Sequence, residues 1–230
     1  MNNTGATVHI TKLAAAQRQL RAAIRLYFVD EDELAIHTVA SAAYRLINDL
    51  KAARGMTEAA DVYLVSIFYV VRSFRRGTLP KHISENSEVM MWVAEMAEKL
   101  PITAESKIED VTAHIGDDAA RTFWRKRNET SNFLKHADRD SQDQISLEKV
   151  DNITLLMQAM AAYTDLVKND LGPEGLILWL YSSVLYGESE SLPEEFRSIG
   201  RRLLQVHESE RRDLCFALIQ ELRARDAERV

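Results

Sequence analysis

A chain with one cysteine cannot form a disulfide of its own, and Cys215 is the only cysteine among the 230 residues. A reducing compartment, the cytoplasm, is therefore expected, with Cys215 as a buried, inert thiol. Glycine and proline are scarce, at 8 and 4 residues. Alanine, leucine, glutamate and arginine are plentiful, which is helix-forming usage. No apolar run is long enough to span a bilayer, which takes about 20 residues. The longest, Val62 to Val71 and Leu176 to Leu180, stop well short, so no membrane partner is expected. Met1 to Ile10 lacks a basic region followed by an apolar block, so no signal peptide is expected.

Positive charge is not in excess. Lys and Arg number 29 against 35 Asp and Glu, for a net charge of -6. That argues against a general nucleic-acid binder and leaves room only for a local basic stripe. Several catalytic signatures are missing as well: a Gly-rich phosphate loop, a GxSxG elbow, paired CxxC and HExxH. His207-Glu208 is a fragment of the last, because position 211 is Arg. Helical di-metal sites need Glu-x-x-His, whereas Asp110-Val-Thr-Ala-His114 offers the shorter acid at the wrong spacing. No metal site is expected, and the identity of any cofactor is left open.

What is present is helical periodicity. The chain reads as all-α, a single-domain multi-helix bundle of about seven to nine helices, with residues 1–10 a flexible N-terminus and 11–225 the helical domain. Thr11 caps a first helix to about Val29, with Leu13, Leu20, Ile24, Tyr27 and Phe28 recurring at helical spacing and Arg18, Arg21 and Arg25 among them. A second helix runs from about Glu33 to Arg54, stopped by Gly55. Its apolar face is Ile36, Val39, Ala40, Ala43, Leu46, Ile47 and Leu50. Opposite lies a neutral polar row of His37, Ser41, Tyr44 and Asn48.

Thr57 caps a third helix. It is apolar nearly all round and is expected to be the most buried of the bundle. Arg72, Arg75 and Arg76 close it and complement its dipole. A fourth spans about Ser87 to Leu100 and ends at Pro101. Asp151 caps a later helix, Gly172-Pro-Glu-Gly175 reads as a turn before a buried helix from Leu176, and Ser191-Leu-Pro-Glu194 reads as a capping box. The last one or two helices run from Pro193 to about Arg225.

The chemically densest stretch is Arg121 to Asp140. At about 100° per residue, Arg121, Arg125, Asn128, Asn132, Lys135, His136 and Arg139 share one side of a helix. Phe123, Thr130, Phe133, Leu134 and Ala137 share the other. Guanidinium and amide groups on one face suit phosphate or carboxylate oxygens. A solvated basic face is the plainer reading of the same pattern. Asp138 and Asp140 sit where a helix C-terminus disfavours carboxylates, so either the helix has stopped or these acids have partners. If the helix continues, Asp140, four residues after His136, is placed to hold its ring.

Asn132-Phe-Leu-Lys-His-Ala-Asp-Arg-Asp140 resembles a motif of a group of uncharacterised bacterial proteins. Ala22-Ala-Ile-Arg-Leu-Tyr-Phe28 and Ile36-His-Thr-Val-Ala-Ser-Ala-Ala-Tyr44 resemble the N-terminal part of the same group. The resemblance covers a small share of the chain and implies kinship with that bacterial group, not an activity. Arg127-Asn128 also resembles the start of the motif of HEPN-type helical domains, some of which are metal-independent ribonucleases with an Arg, a polar neighbour and a His soon after. Here the histidine arrives only at position 136, and Arg127 and His136 point in opposite directions on the wheel. The nuclease pair is not carried over.

These readings rank an interaction or regulatory protein first, with a polar anion-binding site on the 121–140 helix. Its ligand-binding residues would be Arg125, Asn128, Asn132, Lys135, His37, Asp138 and Asp140, and its partners a nucleotide or RNA phosphate, or a second copy in a homodimer. The alternative is a HEPN-like RNA- or nucleotide-acting enzyme, with His136 as general acid or base and Arg139 stabilising phosphate charge.

Overall fold

The computed structural model describes residues 9–56, 62–79, 81–85, 87–107, 128–135, 142–185 and 192–228. Among these the chain is all-α. Its helices are α1 Lys12–Phe28, α2 Glu33–Ala53, α3 Val62–Arg76, the single turn α4 Lys81–Ser84, α5 Ser87–Lys99, α6 Glu129–Lys135, α7 Asn152–Val167, α8 Pro173–Leu185, α9 Glu194–Gln205 and α10 Arg211–Ala227. Most of the expected boundaries are met. Thr11 caps α1 by accepting from the Ala14 amide at 3.1 Å, and Asp151 caps α7 by accepting from the Thr154 amide at 3.0 Å. Gly55 follows α2 with φ of +67°, a left-handed conformation that glycine adopts without strain.

One boundary moves, and it matters for the site. Gly172-Pro-Glu-Gly175 is not a free turn. Gly172 alone makes the bend, at φ +84°, and Pro173 opens α8. A proline in the first turn lacks only an N–H that the helix would leave unpaired. Glu174 is thereby carried into the first turn of a buried helix, where the positive dipole end favours a carboxylate. Ser191 of the capping box read at 191–194 lies outside the described residues; Pro193 precedes α9, and among the described residues no side chain caps it.

The contacts gather into two compact units. The larger holds Met1–Glu58 and Ser146–Val230; the smaller is Ala59–Ile145. In the larger unit the apolar faces of α1, α2, α7, α8 and α10 meet in one core, including Leu20, Ile24, Phe28, Ile36, Ile47, Leu156, Leu178 and Ile219. α8, not α3, is the most enclosed of the described helices, with polar Ser182 and Ser183 buried beside its apolar residues. Their hydroxyls are satisfied by the Trp179 carbonyl, at 2.8 and 2.9 Å. On α3, Tyr69 is 44 % exposed.

In the smaller unit Ile67, Phe68, Val71, Ala97 and Ile102 form a separate cluster. The arginines ending α3 tie it together. Arg75 donates to the Ala97 carbonyl at 2.5 Å, Arg76 to Ala104 at 2.6 Å and Arg72 to Ser106 at 3.3 Å. They cap the end of α5 and the loop after it, besides complementing their own helix dipole.

The polar row of α2 lies against α7. Asn152 Nδ2 donates to the Glu33 carbonyl at 2.9 Å and also to the Glu33 carboxylate. That leaves its Oδ1 facing His37 Nδ1 at 3.2 Å, so the ring donates from Nδ1. Further along, Gln158 donates to the Tyr44 hydroxyl at 3.1 Å, Lys51 to Asp165 Oδ2 at 2.5 Å and Arg54 to the Leu166 carbonyl at 3.1 Å. The partners advance together along both helices, so α2 and α7 run parallel. Parallel neighbours need a long crossover, and the smaller unit is contained in it.

Lys51 is 1 % exposed and its partner Asp165 is 38 % exposed. Lys168 adds a second ammonium at 2.6 Å. The hydrogen bonds from Lys168 and then Lys51 hold the Asp165 carboxyl at about 2, below the ordinary 3.8. A lowered folded-state value means the stabilisation is complete above about pH 4 and is lost as pH falls towards about 2. Asp165→Asn is expected to cost about 1–2 kcal/mol at neutral pH, since it strands a buried ammonium beside a partly solvated partner. Urea unfolding at pH 7 and near pH 2 checks this: the gap between wild type and variant should close at the acid end. A gap of equal size at both would exclude the ion pair as its cause.

Candidate functional site

Arg18, Arg21 and Arg25 occur at spacings of three and four, which sets their side chains on one face of α1. The C-terminal half of α10 brings Arg223 to the same place. Together with Ala22 these four arginines line a cleft of about 420 Å³. Among the described residues no carboxylate lines it. Glu174, wholly buried in the first turn of α8, takes up part of the charge: Arg21 Nε donates to Oε2 at 2.7 Å and Arg25 Nη1 to Oε1 at 2.5 Å. Arg223 Nε stands 3.8 Å from Oε1, beyond hydrogen-bond reach. Arg18 has no ion-pair or hydrogen-bond partner among the described residues.

Arg21 and Arg25 are 30 % and 28 % exposed and Arg223 is 42 % exposed. They are packed against protein yet open to an incoming ligand. One carboxylate cannot neutralise four guanidinium groups, and in a chain of net charge -6 such a concentration of cation is a local exception. Planar guanidinium forks from two helices give the cleft directional donors as well as charge.

The sequence-predicted site divides differently. Asn128, Asn132 and Lys135 are exposed on and beside α6 while Thr130 is buried and Phe133 and Leu134 are half-buried. The Asn132 amide donates to the Asn128 carbonyl at 2.8 Å, which makes this segment one continuous helical turn. Arg125, His136, Asp138, Arg139 and Asp140 lie outside the described residues. His37 belongs to the larger unit, 6 % exposed and bonded to Asn152 within the α2–α7 seam. The arginine cleft went unassigned in the sequence. Its three-and-four arginine spacing was visible, but Glu174 and Arg223 are brought in from 149 or more positions along the chain.

Two further groups are accounted for structurally. Cys215 is fully buried, and burial pushes its thiol up to about 12, so it is protonated and unreactive at neutral pH. Among the described residues no group of three or more His, Cys, Asp or Glu side chains is placed to hold a metal. No helix among them is long and apolar enough to cross a membrane.

The fold and cleft define an all-helical protein with a cationic, arginine-lined recess in its larger unit. Comparison with family models, curated proteins and solved structures gives no match.

Proposed function

We propose that this chain is a helical interaction or regulatory protein that binds an anionic ligand, and that the Arg18–Arg21–Arg25–Arg223 cleft is the site. The observation that carries this is the imbalance of charge: four guanidinium groups converge from α1 and α10, and the carboxylate that Arg21 and Arg25 share is buried out of the ligand's way. Holding like charges together is unfavourable until an anion arrives, so occupancy should stabilise the fold. The exposed amides and lysine on and beside α6 remain a second candidate surface for the same kind of ligand.

Thermal unfolding in phosphate, pyrophosphate and citrate, each against sodium chloride of equal ionic strength, tests the reading. The melting temperature should rise by about 4 °C or more for at least one of them, as 1–2 kcal/mol of linkage implies. The Arg18→Ala/Arg223→Ala variant should lose that rise. An equal rise in the variant, or none in the wild type, would exclude the cleft. The enzymatic alternative built on His136 and Arg139 is separated by incubating the protein with single-stranded RNA: cleavage that disappears in His136→Ala would favour it.

A further inference from the structure

We infer that the ligand of this cleft is a compact oxyanion bearing two or more negative charges and no aromatic ring, of which pyrophosphate is the simplest probe. This rests on the reading of the cleft as an anion site and narrows it to a chemical class. Among the described residues the lining is four arginines and Ala22. Among those described residues the Ala22 methyl is the only apolar side chain of the lining, so a nucleobase would find no aromatic ring and no apolar slot, and could stack only on guanidinium planes whose edges the oxyanion groups engage. The volume, about 420 Å³, lies at the small end of the roughly 300–1,000 Å³ of small-molecule pockets. A nucleic-acid strand needs cations tracking its backbone over several nucleotides, and here they converge on one recess.

Charge number follows from the same residues. Arg21 and Arg25 already share Glu174, so each offers only its remaining N–H donors. Arg18 and Arg223 are the groups left to engage a ligand fully, and they stand on different helices. A singly charged carboxylate has two oxygens and would serve one fork. A ligand with oxyanion groups at both ends serves Arg18 and Arg223 together, so pyrophosphate suits the cleft better than acetate or orthophosphate does. Because Arg223 lies beyond the last buried residue of α10, Ile219, such a ligand would also hold the end of that helix against α1.

The test is titration calorimetry of the full chain with orthophosphate, pyrophosphate and ADP at one ionic strength, joined to amide hydrogen exchange over residues 220–227. Pyrophosphate is expected to bind about tenfold tighter than orthophosphate, the worth of one more charge-assisted hydrogen bond. ADP is expected to bind within about threefold of pyrophosphate, its nucleoside contributing little. Exchange at 220–227 should slow when pyrophosphate binds. Arg18→Ala, which removes an exposed side chain with no described partner, should weaken pyrophosphate about tenfold, and Arg18→Lys should restore only part of it. ADP binding tenfold or more tighter than pyrophosphate would overturn the ligand class and leave the anion site standing. Binding by none of the three, or binding that Arg18→Ala leaves unchanged, would overturn both.

Discussion

Glu174→Gln is expected to destabilise the protein while strengthening its hold on anions. The carboxylate is wholly buried, accepts from two arginines and sits at the positive end of α8. Removing one member of a buried ion pair costs about 3–5 kcal/mol, because the partner is left without compensation. The arginines here keep close to a third of their exposure, so water relieves part of that and about 2–3 kcal/mol is expected. The effect on ligand is of opposite sign. Glutamine keeps the shape and removes the internal anion that competes for Arg21 and Arg25, so pyrophosphate should bind about tenfold tighter. Urea unfolding gives the first quantity and calorimetry the second. A merely structural ion-pair cluster would give the destabilisation alone, and weaker pyrophosphate binding in a folded variant would count against the cleft.

Phe28→Ala is expected to have the largest effect on stability, about 4 kcal/mol. Its ring is fully buried and stands edge-on to Tyr27 and to Tyr181, with centroids 5.4 Å away in each case. Truncating a buried phenylalanine costs about 3–5 kcal/mol in lost transfer energy and cavity, and the edge-to-face geometry adds to what is lost. The cluster also joins three helices. Tyr27 and Phe28 come from α1 and Tyr181 from α8, while Arg212 of α10 lies over the Tyr27 ring at 4.3 Å and pairs with Asp30 in the turn after α1. Burial, reinforced by Tyr181, holds the Tyr27 hydroxyl well above its ordinary range, so it stays neutral and the packing carries no pH dependence near neutrality. Amide exchange of α1 and α8 should accelerate together in the variant. A loss under about 1 kcal/mol by urea unfolding would mean the core closes over the gap.

Much of the helical framework was legible beforehand for local reasons. Thr11 and Asp151 cap the helices they were expected to cap, since a side-chain oxygen before an apolar periodic run meets an unpaired N–H wherever it occurs. The apolar stripe of α2 is inward as read: Ile36, Ala40, Ala43 and Ile47 are buried and Val39, Leu46 and Leu50 pack against them. Where the reading failed, composition pointed one way and burial or helix start another. The apolar run of α3 looked like the most buried helix, but Tyr69 stands out from its unit and Arg72 lies over that ring. Gly172 to Gly175 looked like a turn because its composition is that of one; three of its four residues begin α8 instead.

By itself, then, the chain determined its helical class, the ends of several helices and the inward stripe of α2, since all of these depend on neighbours within a turn or two. It also set three arginines on one side of α1. Only the tertiary structure decided what each polar face meets. It laid α7 along His37, Tyr44 and Lys51, and it brought Glu174 and Arg223 to Arg21 and Arg25, because periodicity says which side chains share a face and carries no information on what covers that face.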